Sequence, residues 1–378
     1  MIWQGVRSLI DHYVALQPSD VVILVYTQDA RETASWVLLE LRRRGVRARA
    51  LAMSMYDDAT LAGRLTAALP GIDELDGRLV VLTLERTSMA NSSVFRSLLA
   101  PYSGSKLVVG RTINASAELF RLALNVTPDQ LSAINGGLLQ EFMPASRMHI
   151  RSSSGTDLDI RIESDRYRWI SNRGKWRPGG FTVLPPGEVA TMPAGIEGVL
   201  VADGALNITA YTEMDVRLAE TPVTVEFEKS RMVNFSCKSP LVNKLYRRFL
   251  EYEHFDRVGE LGFGTNIGIS EWIAMNSHIN ERRPGLHIGL GGHGQRVEVA
   301  GYGCEVHLDL MTSDAITVVD GKAVFDSRRL GEVRGDHPAL QTGLHDEDID
   351  ALDGDCCGLT WGSHLESDPD CPVPAAGP

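Results

Sequence analysis

The sequence predicts an α/β N-terminal domain with a mostly parallel sheet, followed by a β-rich α+β domain. Two observations carry this expectation. Strand and helix signals alternate over the first 125 or so residues, whereas after about residue 145 short alternating strands are separated by glycine- and proline-rich turns. The expected organisation is an α/β unit over residues 1–146, a β-rich unit over 147–330 and a flexible tail over 331–378.

In order along the chain, Val21 to Tyr26 is a continuous apolar, β-branched run, the pattern of a strand covered on both faces. A helix follows with Ala34, Val37, Leu38 and Leu41 on one face. Arg42, Arg43 and Arg44 close it where the helix dipole favours cations, and Gly45 stops it. Arg47 to Met53 reads as a strand and Asp58 to Leu69 as a helix ended by Pro70-Gly71. The cycle repeats with a strand at Leu79 to Leu84, a helix at Ser88 to Leu99 and a strand at Lys106 to Ile113. Such units are right-handed βαβ crossovers on a parallel sheet. The first strand–helix turn, Tyr26-Thr27-Gln28-Asp29-Ala30, has no glycine to let a pyrophosphate approach the backbone, so the domain is Rossmann-like but not nucleotide-binding. Thr127-Pro128-Asp129-Gln130 starts a further helix with a capping box and proline at its first position, and Leu131, Ile134 and Leu138 form its apolar stripe.

Beyond residue 146, Arg147 to Arg151 and Leu158 to Ile162 read as hairpin strands around Ser154-Gly155-Thr156-Asp157, and Val223 to Phe227 as a half-exposed strand. From Gly331 the periodicity fades; Asp346 to Asp355 is strongly acidic and Pro369 to Pro378 is rich in proline and small residues. In the tail, His345, Cys356, Cys357, His364 and Cys371 do not match the spacing of a structural zinc site.

Composition removes several classes of function. A formal net charge of -12 opposes nucleic-acid binding, which needs a basic surface. The longest apolar runs are strand-length, short of the roughly 20 residues of a spanning helix, and the N-terminus carries no secretory apolar core. The five cysteines form no disulfide framework. A cytoplasmic protein without a membrane or nucleic-acid partner is expected.

The residues that carry chemistry lie in the second half. His307 and Asp309 are two apart in Val306-His307-Leu308-Asp309-Leu310, so on a strand both side chains face one side and can converge on one metal. His287 lies in Gly285-Leu286-His287-Ile288-Gly289-Leu290-Gly291, and Glu260 in Gly259-Glu260-Leu261-Gly262-Phe263-Gly264-Thr265-Asn266. Imidazole and carboxylate together suit zinc, cobalt, manganese or iron(II). Asn280 and Glu281 precede His287 closely, where they either orient it or form a solvent-facing turn. His254 and His278 read as ordinary polar residues near the site, and His12 and His149 as structural.

These three segments, together with Leu184-Pro185-Pro186-Gly187-Glu188-Val189, resemble the aminopeptidase T/aminopeptidase S family of metallopeptidases, chiefly its leucyl aminopeptidase-like members, over about residues 120 to 326. The resemblance implies a hydrolase of an amide or peptide-like bond in a small or short peptide-like substrate, and a homodimer. It implies two divalent ions, zinc, cobalt or manganese, held by Glu188, Glu260, His287, His307 and Asp309, with Glu188 or Glu260 handling the proton. The family's catalytic tyrosine falls on Gly294 here, and His293 and Tyr302 are the neighbouring candidates to replace it. The chain is also similar to the 2,5-dihydroxypyridine dioxygenase type, at Trp176-Arg177-Pro178-Gly179-Gly180-Phe181 and Glu271-Trp272-Ile273-Ala274-Met275. That resemblance implies one iron(II) and ring cleavage, but it puts a histidine at Glu260 and has no counterpart of His287.

Overall fold

In the computed structural model, described for residues 2–56, 58–87, 91–102, 104–176, 181–338 and 344–346, three sheets form the framework. The first is a five-stranded parallel sheet in the order Arg47–Met53, Val21–Thr27, Leu79–Glu85, Leu107–Ile113, Phe181–Leu184. Strands Leu79–Glu85 and Leu107–Ile113 are buried along their whole length, and Val21–Thr27 at all but Tyr26, as continuous Val/Ile/Leu runs require. Helices Arg31–Arg43 and Leu61–Ala68 cross between its strands, and apolar clusters fill both of its faces. Gly45 takes φ +70°, the left-handed stop expected after the arginine-rich helix end. Helix Pro128–Phe142 starts with the predicted capping box, Thr127 and Gln130 satisfying each other's backbone N–H groups.

Two helices begin later than the sequence pattern suggests. The apolar stripe starts at Leu61 rather than Asp58, because the Asp58 carboxylate instead accepts from the Ser54 and Thr60 N–H groups and closes a turn. The other helix runs Ser92–Leu99; residues 88–90 lie outside the described residues.

The other two sheets pack face to face. One is antiparallel throughout: Arg231–Cys237, Val223–Glu228, Gly195–Ala202, Asp157–Arg161, Arg147–Arg151, Ile316–Val319, Ala323–Asp326. The other, here called the site sheet, runs Leu206–Ile208, His307–Met311, Gly285–Gly291, Val258–Gly264, Glu188–Thr191, Trp169–Asn172 and Leu344–Asp346. Their facing side chains form one apolar core that includes Ile160, Leu200, Val225, Leu261, Ile288 and Leu310.

Strand Phe181–Leu184 pairs with the parallel sheet, and four residues after its end Glu188 begins a strand of the site sheet. This connection sets the site sheet beyond the C-terminal ends of the parallel strands. In the tail, Gly335 N–H donates to Ala133 O and the His337 ring meets Ser171 Oγ at 2.8 Å. The segment after residue 346, with its acidic run and Cys356, Cys357, His364 and Cys371, lies outside the described residues. No described helix is long and apolar enough to cross a membrane.

Candidate metal centre

The period-2 pattern of the site sheet divides its residues between two faces. Leu261, Phe263, Leu286, Ile288, Leu290, Leu308 and Leu310 enter the core. Their neighbours Glu260, Gly262, His287, Gly289, His307 and Asp309 therefore share the opposite face. Cross-strand register aligns them: Glu260 stands opposite Gly289, Gly289 opposite Asp309, Gly262 opposite His287 and Gly291 opposite His307. On one flank Glu188 pairs with Gly264, and on the other Asn207 pairs with Asp309.

The glycines are the space the polar groups occupy. A Cβ at Gly262 would lie 1.8 Å from His287 Nε2, and one at Gly289 would lie 2.5 Å from His307 Cε1 and 2.9 Å from Asp309 Oδ1. Alternating glycines thus form a floor on which two imidazoles and three carboxylates can lie.

Two groups of donors share Glu260. Ligand atoms of Glu188, Glu260 and His287 all fall within 4.8 Å of one another. His287 Nε2 lies 3.3 Å from Glu260 Oε1 and 3.0 Å from Glu188 Oε1. In the second group His307 Nε2 lies 2.9 Å from Asp309 Oδ1 and 4.0 Å from Glu260 Oε2. The structure therefore brings together all five residues singled out in the sequence, as two clusters joined by one carboxylate.

Donor chemistry suits a divalent cation. Glu188 Oε1 is buried and faces His287 Nε2 at 3.0 Å, so that a cation held between them would take over the charge that the imidazole proton supplies without metal. His307 Nδ1 lies 2.8 Å from Gly292 O, which fixes Nδ1 as the donor and leaves Nε2 for a metal. The residues present fit the group.

Ionisation follows from the same contacts. Burial alone would lower His287, but the carboxylates of Glu188 and Glu260 hold it well above the usual imidazole range. His307 is pushed up to about 10, burial being outweighed by Asp309 and Glu260. Burial and the Glu281 charge raise Asp309 to about 7 against the pull of His307. For Glu260, burial is outweighed by His287 and His307, and its carboxyl lies below the ordinary value. Without metal, protons on the imidazoles supply the positive charge the carboxylates demand.

Three surrounding residues have no counterpart in the sequence reading. Arg282, only 2% exposed, donates to Glu188 Oε2 and lies 3.3 Å from Glu281 Oε2, while its Nε reaches Pro185 O. Asn207 donates to Glu281. Asn135, fully buried in helix Pro128–Phe142, donates to Glu188 O and accepts from Thr265 Oγ1. Glu281 is buried and hydrogen-bonds Asp309, so of the two alternatives for it the solvent-facing turn is set aside; it supports Asp309 rather than His287. Burial is overcome there by the charges of His278, Arg282 and His287, and its carboxyl falls to about 2. Asn280 instead binds the backbone of Ile273 and Met275. The signal for Arg282 was the Glu281-Arg282 pair beside a histidine strand, which local pattern alone places equally well in solvent.

The two neighbours of the missing tyrosine are engaged with backbone. Tyr302 OH donates to Gly291 O, and His293 Nε2 lies 2.8 Å from Tyr302 O. A Cβ at Gly294 would lie 2.9 Å from Ile170 Cδ1.

No family profile matches the chain, and no curated protein sequence matches it. Solved structures do. The 2,5-dihydroxypyridine dioxygenase from Pseudomonas putida KT2440 superposes with a TM-score of 0.57 at 17% identity, covering 90% of this chain and 97% of that one. Wild-type AmpT (aminopeptidase T) from Thermus thermophilus superposes with a TM-score of 0.50 at 14% identity, covering 86% of this chain and 97% of that one. The chain shares its fold with both. Each resemblance drawn from the motifs thus has a structural counterpart, both of them enzymes, at identities that speak for the fold alone.

Proposed function

We propose that this chain is a metal-dependent hydrolase that cleaves an amide or peptide-like bond of a small substrate. The observation that carries the reading is the pair of donor groups sharing Glu260 on a glycine floor, Glu188–Glu260–His287 and Glu260–His307–Asp309. Three buried carboxylates, Glu188, Glu281 and Asp309, and the half-buried Glu260 face one buried guanidinium, Arg282, leaving three negative charges when all four are ionised. A single divalent ion leaves that pocket anionic, and a pair makes it slightly cationic, suited to a polarised carbonyl.

Divalent ions bound there supply Lewis acidity and a water acidic enough to react at neutral pH. The chain's own groups do the rest. Arg282 holds Glu188 by Oε2, leaving Oε1 as its free donor. Asn207 donates to Glu281 and stands opposite Asp309 in the strand pairing, which keeps Asp309 in register beside His307. Glu260, its side chain 21% exposed against 5% for Glu188, is the ionised carboxylate nearest solvent and offers one oxygen to each donor group. With Gly294 in place of a phenol, the family's donor to a developing oxyanion is missing, which favours a specialised substrate over general peptides.

One geometric feature favours a second reading. His287 and His307 both aim Nε2 at Glu260, and two imidazoles with one carboxylate also suit a single iron(II) used in oxygen chemistry. Metal content after anaerobic reconstitution separates the two, together with assays on aminoacyl amides and in an oxygen electrode. About two ions per chain, with amide cleavage indifferent to oxygen, support the hydrolase. One iron per chain, lost in His287→Ala and in His307→Ala, with oxygen uptake and no amide cleavage, overturns it.

A further inference from the structure

A crevice of about 590 Å³ opens at the C-terminal edge of the parallel sheet. Its floor is the end of two adjacent strands, marked by Asp29 after Val21–Thr27 and by Arg86 and Thr87 after Leu79–Glu85. From Val21–Thr27 the chain goes outward to Arg47–Met53 on one side, then returns to Leu79–Glu85 on the other. That is the switch point of the sheet, where α/β folds leave a gap for a ligand. The volume is that of a small-molecule site.

The opposite wall comes from the second half of the chain, Ala210 to Asp215 and Ala274 to Asn276. Both segments lead directly from the metal centre. Thr209, next to Ala210, exchanges hydrogen bonds with the backbone of His307, and Asn207 binds Glu281. Asn276 binds Ile208 and Ala210, and five residues later the chain reaches Glu281. The strand order also places the two sites on one line. Passing across the sheet from Asp29 to Thr87, then Asn114, which holds His278, then Phe181–Leu184 leading to Glu188, takes three strand spacings. The crevice and the segment that leads to Glu188 thus lie along the same edge of the parallel sheet.

The walls set the chemistry. Met55, Met214, Met275, Ala210 and Ala274 make them mainly apolar. Asp29 is aimed by Thr27 and Thr87, whose hydroxyls donate to its two oxygens, and among the described residues no cation pairs with it. Glu213 accepts from Tyr211 OH, while Asp215 is already paired with Arg217. Arg86 is the single cation on the wall, and it makes no ion pair with Asp29.

We propose that this crevice receives the distal part of the substrate, an apolar body of flexible or aromatic carbon ending in a basic nitrogen that meets Asp29. Methionines adapt to such a body, and the fixed carboxylate selects its charge. The crevice rests on the hydrolase reading only for which end of the substrate is cleaved.

The test is calorimetric binding of 4-phenylbutylamine to the full chain, metal-loaded and as His287→Ala. Binding is expected to be saturable in both forms. It should weaken at least tenfold in Asp29→Asn and in Ala274→Trp, a substitution at an exposed lining position that fills the space. Arg86→Gln should bind the amine more tightly. Absence of saturable binding, equal binding of 4-phenylbutanol or preference for 4-phenylbutyrate overturns the proposal; so does unchanged binding in both Asp29→Asn and Ala274→Trp. Metal content and amide cleavage are read separately, so the crevice can fail while the hydrolase stands, or bind amine while the hydrolase fails.

Discussion

Loading the site with metal should release protons, in a number the geometry fixes. A metal takes imidazole in its neutral form, so any proton on His287 or His307 must leave first. His287 lies well above the ordinary imidazole value and His307 at about 10, so both carry protons at neutral pH in the metal-free chain. Both are raised shifts, so proton competition is strong at low pH and fades only as pH climbs through the folded values. With both donor groups filled, the product of the two affinities should rise with pH above 7, by about tenfold, or about 1.4 kcal/mol, per pH unit for each imidazole still protonated. Filling the Glu188–Glu260–His287 group alone gives about tenfold. Below pH 7, Asp309, raised to about 7, adds to the slope. Titration of zinc or manganese by calorimetry, in buffers of different ionisation enthalpy, measures both the slope and the protons released. A flat profile from pH 6 to 9, or no proton release, refutes the charge arrangement argued here.

Other outcomes follow from the same contacts. Gly262→Ala should abolish tight metal binding, because its Cβ would lie 1.8 Å from His287 Nε2; metal content beside an unchanged far-ultraviolet dichroism spectrum checks it. Arg282→Met strands Glu188 and Glu281 without their buried guanidinium and should destabilise the metal-free chain by about 3–5 kcal/mol in urea unfolding, with partial recovery on adding metal. Arg111→Met, which breaks the fully buried pair with Glu85 inside the parallel sheet, should cost a similar amount while leaving metal content unchanged. Thr127→Ala should cost about 1 kcal/mol through its capping box and leave metal binding untouched.

Much of the fold was legible because its information is local. The strands at Val21 and Arg47, the glycine stop at residue 45 and the Thr127 capping box need only a few neighbours to specify them, and each is found where the pattern puts it. The candidate ligands were legible through residue type and spacing: a His-x-Asp strand pair and two glycine-rich segments, one holding Glu260 and one holding His287. What was not legible is long-range. Asn135 is an unremarkable helical asparagine until the helix meets Glu188, more than 50 residues away. Arg282 reads as a surface arginine until strand pairing encloses it. Glu281 could be placed near the site from sequence, but its partner depended on which strand lay beside His287, and that strand carries Asp309.

The glycine pattern also explains how one scaffold can serve two chemistries. The floor at Gly262 and Gly289 is set by backbone, and it admits any polar side chains whose strands keep register around it. What distinguishes the cases is the donor at a single position. Glu260 offers two oxygens, one toward His287 and one toward His307, so it can join two donor groups. An imidazole at that position would offer the same floor one directed nitrogen and leave one cluster incomplete. In the proposed two-metal reading, the carboxylate at Glu260, rather than the fold around it, is therefore the feature on which the number of metal ions turns. Glu260→His, measured by metal stoichiometry, isolates that choice without altering the sheet: a fall from about two ions to about one locates the bridge in Glu260.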